Sequence, residues 1–182
     1  MSKVVVIGGG AAGMFASIAA AGCGHQVVVY EKNEKLGKKL YITGKGRCNI
    51  TNACDMEGLF DAVRTNAKFL YSSFYGYTNQ QVIDFFERIG VPTKIERGDR
   101  VFPVSDHSSD VIRGLEREMD RLGVKVHLRT AVKRLSQKTD ILKKSCLEIR
   151  DRFMRMPVSL QQEGCLISQQ DQPEMDSGLQ KV

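Results

Sequence analysis

The chain of 182 residues has no tryptophan, four prolines and three histidines, and no apolar run that nears the ~18 residues needed to span a membrane. No membrane association is expected. The opening apolar stretch, residues 3–7, is too short and too soon followed by glycines to be a secretory signal, so a cytoplasmic location is expected. Cys23, Cys48, Cys54, Cys146 and Cys165 contain no CxxC pair and no histidine-rich companion segment, which speaks against a zinc site. Their odd number reads as free thiols. His25, His107 and His127 fall in a loop, a helix start and a strand; they compose neither a triad nor a metal cluster, and no catalytic residue is assigned. Internal repeats are missing too.

Apolar residues make up 42% of the chain, enough for the core of one domain. The net charge of +6 is uneven. Residues 145–182 hold four of the 27 Lys/Arg and six of the 21 Asp/Glu, so residues 1–144 keep 23 basic against 15 acidic groups. Phosphate binding together with a solvated surface accounts for the excess. An RNA substrate is the alternative reading, because neutralising phosphates drives nucleic-acid affinity.

Val4 to Ile7 is a short β-branched run of the kind buried on both faces of a parallel sheet. A small-residue helix over residues 14–21 follows, and a second buried strand over 26–30 completes a βαβ unit. Between the first strand and the helix, Gly8, Gly10 and Gly13 satisfy G-x-G-x-x-G. The first glycine permits the tight turn, the second lets backbone approach a pyrophosphate, and the third lets helix and strand pack closely. The N–H groups of Ala11 and Ala12 would face phosphate oxygens. Glu31 closes the second strand roughly 20 residues on, where a carboxylate accepts ribose hydroxyls. A carboxylate there favours an unphosphorylated adenosine ribose, hence FAD or NAD rather than NADP.

Farther on, helices are expected from residue 57, with Leu59, Phe60, Val63, Phe69, Leu70 and Phe74 as core, and over 79–89. A hairpin is expected over 92–102, a helix capped by Ser105 or Asp106 and ending at Leu122, then strands over 124–128 and 131–135.

Residues 32–52, KNEKLGKKLYITGKGRCNITN, and the later run Arg100-Val101-Phe102-Pro103-Val104-Ser105 resemble a bacterial family of NAD(P)/FAD-dependent oxidoreductases, the aminoacetone-oxidase-like flavoproteins. The resemblance covers roughly the first 140 residues. It implies an α/β fold: a Rossmann-like FAD/NAD(P)-binding domain, a parallel sheet with an added helical and β-hairpin segment, here incomplete. It selects FAD for the fingerprint and leaves NAD(P)H as a transient reductant bound elsewhere. It also assigns Lys32, Lys39, Gly46, Arg47, Cys48 and Asn49 to the cofactor's surroundings, and Val132 to backbone pairing with adenine. Lacking a CxxC partner, Cys48 reads as a small packing residue there rather than an activated thiol. Hydride transfer through FAD is the implied chemistry, with the substrate unnamed. An NAD-dependent dehydrogenase module is one rival, and a non-enzymatic or RNA-binding fragment of a broken gene is another.

After Lys144 the apolar periodicity fades and glutamine accumulates. Joining the third base of each codon to the first two of the next lets 144–181 be read as a sequence containing L-I-A-T-G-G and G-S-T-G-D-G, both similar to this family. Residues 1–144 are therefore expected to form a partial FAD-binding domain. Residues 145–182 are expected to be an out-of-frame, disordered tail, with little activity from the chain as written.

Overall fold

The computed structural model describes residues 1–138 and the segments 144–149, 152–157, 159–161 and 166–169. In chain order come β1 (Lys3–Ile7), α1 (Ala11–Gly22), β2 (Gln26–Tyr30), a 3₁₀ segment (Leu40–Gly46) and β3 (Thr51–Asn52). Next are α2 (Met56–Asp61), a 3₁₀ turn (Ala67–Leu70), α3 (Tyr71–Gly76), α4 (Asn79–Arg88), β4 (Thr93–Glu96) and β5 (Arg100–Pro103). Then follow α5 (Ser108–Arg121), β6 (Lys125–His127), β7 (Val132–Lys138), β8 (Lys144–Ile149), β9 (Arg152–Pro157), β10 (Ser159–Gln161) and β11 (Leu166–Gln169). No helix among the described residues is long and apolar enough to cross a membrane.

The central sheet runs β10-β11-β1-β2-β6, with β1, β2 and β6 parallel. β1 is valine-rich because both its faces are covered: Val4 and Val6 on one face and Val5 on the other are all buried. Phe15 of α1 reaches Phe85 and Phe86 of α4, with ring centroids 4.8 and 5.7 Å apart, and these join Val111, Ile112, Leu115 and Met119 of α5 in one core. A capping box starts α4: the Thr78 hydroxyl accepts from the Gln81 N–H while the Gln81 side chain accepts from the Thr78 N–H.

The α/β fold matches the sequence reading; two local expectations do not. Helix α5 starts at Ser108, with His107 as its uncapped N-cap, rather than at Ser105 or Asp106. Asp106 lies at φ +59° and gives its carboxylate to Arg47 and Lys94, while the Ser105 hydroxyl accepts from the His107 N–H. Second, the aromatic segment expected as core is open. Neither α2 nor α3 has a buried residue, and Phe69, Tyr71, Tyr75 and Tyr77 are exposed. The rings of Tyr71 and Tyr75 pack on each other, 4.6 Å apart, and on Phe60, which lies 5.5 Å from Tyr71 and 5.3 Å from Phe74. Helical periodicity says that a face is apolar, and nothing about which element covers it.

Among the described residues, strands continue beyond Lys144. β8 and β9 span six residues each and extend β7 into an antiparallel sheet. β11 lies antiparallel along β1, with Val5 opposite Ile167. Strand pairing draws on backbone N–H and C=O groups, which every non-proline residue carries, so such strands need not show an apolar period. Positions 139–143, 150–151, 158, 162–165 and 170–182 lie outside the described residues, and so does the expectation of disorder for the tail as a whole.

A cluster of ion pairs fastens the β4–β5 hairpin. Arg47 pairs with Glu96 and with Asp106 (2.6 Å), Lys94 meets Asp106 at 2.6 Å, and the Arg47 guanidinium lies 4.2 Å from the Phe102 ring centre. Hydrogen bonding to Arg47 holds the Glu96 carboxyl below its usual range, and Lys94 followed by Arg47 does the same for Asp106. A carboxylate whose folded pKa is depressed adds stability above its unfolded value, and that stability is lost as pH falls through the folded one. Arg47→Met should therefore lower Tm at pH 7, and the gap to the parent protein should narrow as pH drops from about 5 to 3. The aromatic contact, which does not titrate, preserves a residual difference. Thermal melts of both proteins at several pH values check this; a gap independent of pH would rule the pairs out as its source.

Candidate dinucleotide site

A cavity of about 620 Å³ opens where β1, α1 and β2 converge, within the ~300–1,000 Å³ usual for cofactor sites. It is lined by Gly8, Gly9 and Gly10 of the fingerprint, Glu31 and Asn33 beyond β2, and Thr130 to Val132 from the loop leading into β7. Gly8 carries the turn at φ +97°, and its N–H donates to Tyr30 O at 2.9 Å, prolonging the β1–β2 ladder by one bond. Gly10 is the N-cap of the 12-residue α1, and no acidic side chain stands in the first helical turn. The unpaired N–H groups there leave a partial positive charge beside the cavity.

The glycines divide by role. A Cβ on Gly13 would fall 1.9 Å from Gly8 O, so its smallness lets α1 lie against the turn. A Cβ on Gly10 would meet nothing within 4 Å, and this residue lines the cavity. The intervening Gly9 carried no role in the sequence reading, yet it is held on three sides. Its N–H donates to Glu31 Oε2 (2.6 Å), its carbonyl accepts from Gly37 N (2.7 Å), and a Cβ on it would lie 2.1 Å from Leu36 Cδ2.

Glu31 is buried, and its carboxylate is anchored from two directions. Besides Gly9 on Oε2, Oε1 accepts from Asn33 N (2.7 Å) and Asn33 Nδ2 (2.5 Å). Its backbone carbonyl takes the Thr130 N–H at 2.8 Å, and Asn33 O takes the Arg129 N–H at 2.8 Å. The wall carrying Val132 is thereby tied to the strand end carrying Glu31. Asn33, Thr130 and Ala131 were not foreseen, because nothing in residue spacing announces such cross-links.

Gly8, Gly10, Ala11, Glu31, Lys32, Lys39 and Val132, all assigned to the cofactor from sequence, line this cavity together, as does Lys38. Ala12, Gly13, Gly46, Arg47, Cys48 and Asn49 do not. Gly13 serves helix packing. Arg47 is taken by the hairpin carboxylates, which match a guanidinium better than open water does. Cys48 is buried at φ +61°, and burial pushes its thiol up, against the lesser pull of a hydrogen bond with Thr43. That environment suits a packing residue and disfavours a reactive thiolate. With its side-chain amide turned to donate, Asn49 reaches Val101 O (3.2 Å) and Thr51 O (3.0 Å) in the sheet β3-β5-β4. Arg47 and Asn49 thus brace the hairpin.

A parallel βαβ unit with a glycine turn at a helix N-terminus and a carboxylate closing the second strand defines a Rossmann-type dinucleotide-binding domain. The profile of the HI0933-like protein Rossmann domain matches residues 2–154, and the chain belongs to this family of FAD-dependent oxidoreductases. It is 38% identical over 139 residues to the 3-dehydro-bile acid delta(4,6)-reductase of Clostridium scindens, covering 74% of this chain and 33% of that protein. It is 28% identical over 136 residues to the ribosomal RNA dihydrouridine synthase of Haemophilus influenzae, covering 75% and 33% respectively. The chain spans about a third of the length of these curated relatives. Among solved structures, the 3-ketosteroid-delta4-(5alpha)-dehydrogenase of Rhodococcus jostii RHA1 shares the fold, with a TM-score of 0.61 and 16% identity over 84% of this chain and 43% of that one.

Proposed function

We propose that this cavity holds the ADP half of FAD. The observation that carries the reading is the convergence on one cavity of the glycine turn, the helix N-terminus, the Glu31 carboxylate and the Lys32, Lys38 and Lys39 side chains. Glu31 accepts from the adenosine ribose. The N–H groups opening α1 and the three lysines offset the pyrophosphate charge. Backbone around Val132 edges the adenine. FAD, when bound, supplies hydride transfer; the residues described here bind and orient its nucleotide end. NAD(P)H is the proposed reductant, acting transiently. Lysines committed to a pyrophosphate favour a small-molecule substrate over RNA, and free thiols at Cys23, Cys48 and Cys54 suit a cytoplasmic setting.

Titration of the protein with FAD, followed by quenching of flavin fluorescence, tests the reading directly. FAD should bind, ADP should compete, and FMN, which lacks the ADP half, should not. Tight binding of NAD with no binding of FAD would replace this reading with that of a nicotinamide dehydrogenase module.

For residues 145–182 we propose an out-of-frame origin, supported by the family-like sequence available in the shifted frame. Sequencing the gene from codon 140 through codon 182 decides it. An in-frame reading incapable of encoding L-I-A-T-G-G when shifted would end the proposal.

A further inference from the structure

We infer that Glu31 accepts only one of the two adenosine ribose hydroxyls, through Oε2, and that Asn33 is the residue that imposes this choice. The inference rests on the proposed placement of ADP in the cavity and deepens it. A carboxylate offers about four acceptor positions, two on each oxygen. Oε1 is filled by Asn33 alone, which donates both its backbone N–H (2.7 Å) and its side-chain amide (2.5 Å). Oε2 accepts one bond, from the Gly9 N–H at 2.6 Å. One position therefore remains, on the oxygen that also holds the fingerprint loop.

The arrangement is stiff. Asn33 is itself anchored through its carbonyl to the Arg129 N–H, and Glu31 through its carbonyl to the Thr130 N–H. Glu31 is buried, so its carboxylate has little room to rotate and trade one oxygen for the other. A symmetric grip on both hydroxyls would require the Asn33 amide to leave. Asn33 is thus a positioning residue: it touches the carboxylate, and through it decides how the ribose is held.

Calorimetric titration of the full chain with ADP, 2′-deoxy-ADP and 3′-deoxy-ADP tests this. In the parent protein, one deoxy analogue should bind roughly ten-fold or more weakly than ADP, the loss of a hydrogen bond to a charged acceptor. The other should stay within about three-fold of ADP, since its missing hydroxyl never met the carboxylate. In Asn33→Ala, Oε1 regains an acceptor position, so the tolerated analogue should now be penalised and the ratio between the two should approach one. Asn33→Leu, closer in volume, gives the same reading if the alanine variant folds poorly, and the parent ratio is informative by itself.

Equal losses of ten-fold or more for both analogues in the parent protein would overturn the single-hydroxyl inference and leave ADP placement standing. A ratio unchanged by either substitution would overturn the role of Asn33. Failure of ADP to bind would remove the inference together with the proposed function.

Discussion

Gly13→Val should cost the protein about 3 kcal/mol of stability or more, lowering Tm sharply with or without nucleotide. The added Cβ alone would sit 1.9 Å from Gly8 O and 3.0 Å from Gly8 C, and both are backbone atoms that no rotamer change can move. Val6 Cγ1 lies 3.3 Å away, so the neighbouring strand is crowded as well. Overpacking a well-filled interior ordinarily costs ~1–3 kcal/mol, and relief here requires α1 to lift from the sheet or the glycine turn to open. Chemical denaturation of parent and variant measures it. A variant within about 1 kcal/mol of the parent would show that α1 does not sit as closely as described.

Gly10→Val should do the reverse: the protein folds, and nucleotide binding disappears. A Cβ at this position meets no atom within 4 Å, and the residue's φ of −79° is one that any L-amino acid adopts. The fold therefore tolerates the side chain, which projects where the proposed pyrophosphate must approach the helix N-terminus. Replacing glycine by valine as an N-cap costs only modest stability. The expected result is a Tm near that of the parent and a loss of FAD affinity of a hundred-fold or more, as a steric block on the anion would give. Full affinity in a folded variant would move the pyrophosphate away from Gly10. The two substitutions together separate the part of the glycine motif that builds the domain from the part that serves a ligand.

Much of this was legible in the residues. The β1–α1–β2 unit could be read because strand and helix periods, and the glycines between them, are local features. Glu31 followed from its distance along the chain, since strand length fixes where a strand ends. Six of the assigned cofactor residues that line the cavity, from Gly8 to Lys39, meet there for the same reason, belonging to a unit set over a few dozen neighbouring positions. Val132 is brought in from far along the chain by the bonds of Arg129 and Thr130 to Asn33 and Glu31.

Arg47 and Cys48 show where that logic stops. Their motif marks the family, yet the destination of Arg47 depends on Glu96 and Asp106, distant in sequence and brought near only by the β4–β5 hairpin. The open aromatic face of α2 and α3 is a second case, because an apolar stripe is a property of one helix while its burial is a property of two.

The amino-acid order by itself determined the class of fold, the glycine cradle and the carboxylate at its rim, because each depends on residues close along the chain. Only the tertiary structure decided which charges were already spent, which glycines faced the cavity, and that Asn33 occupies one oxygen of Glu31. Each of those outcomes is a competition among groups that meet only after folding, and it is settled by distances that sequence spacing does not encode.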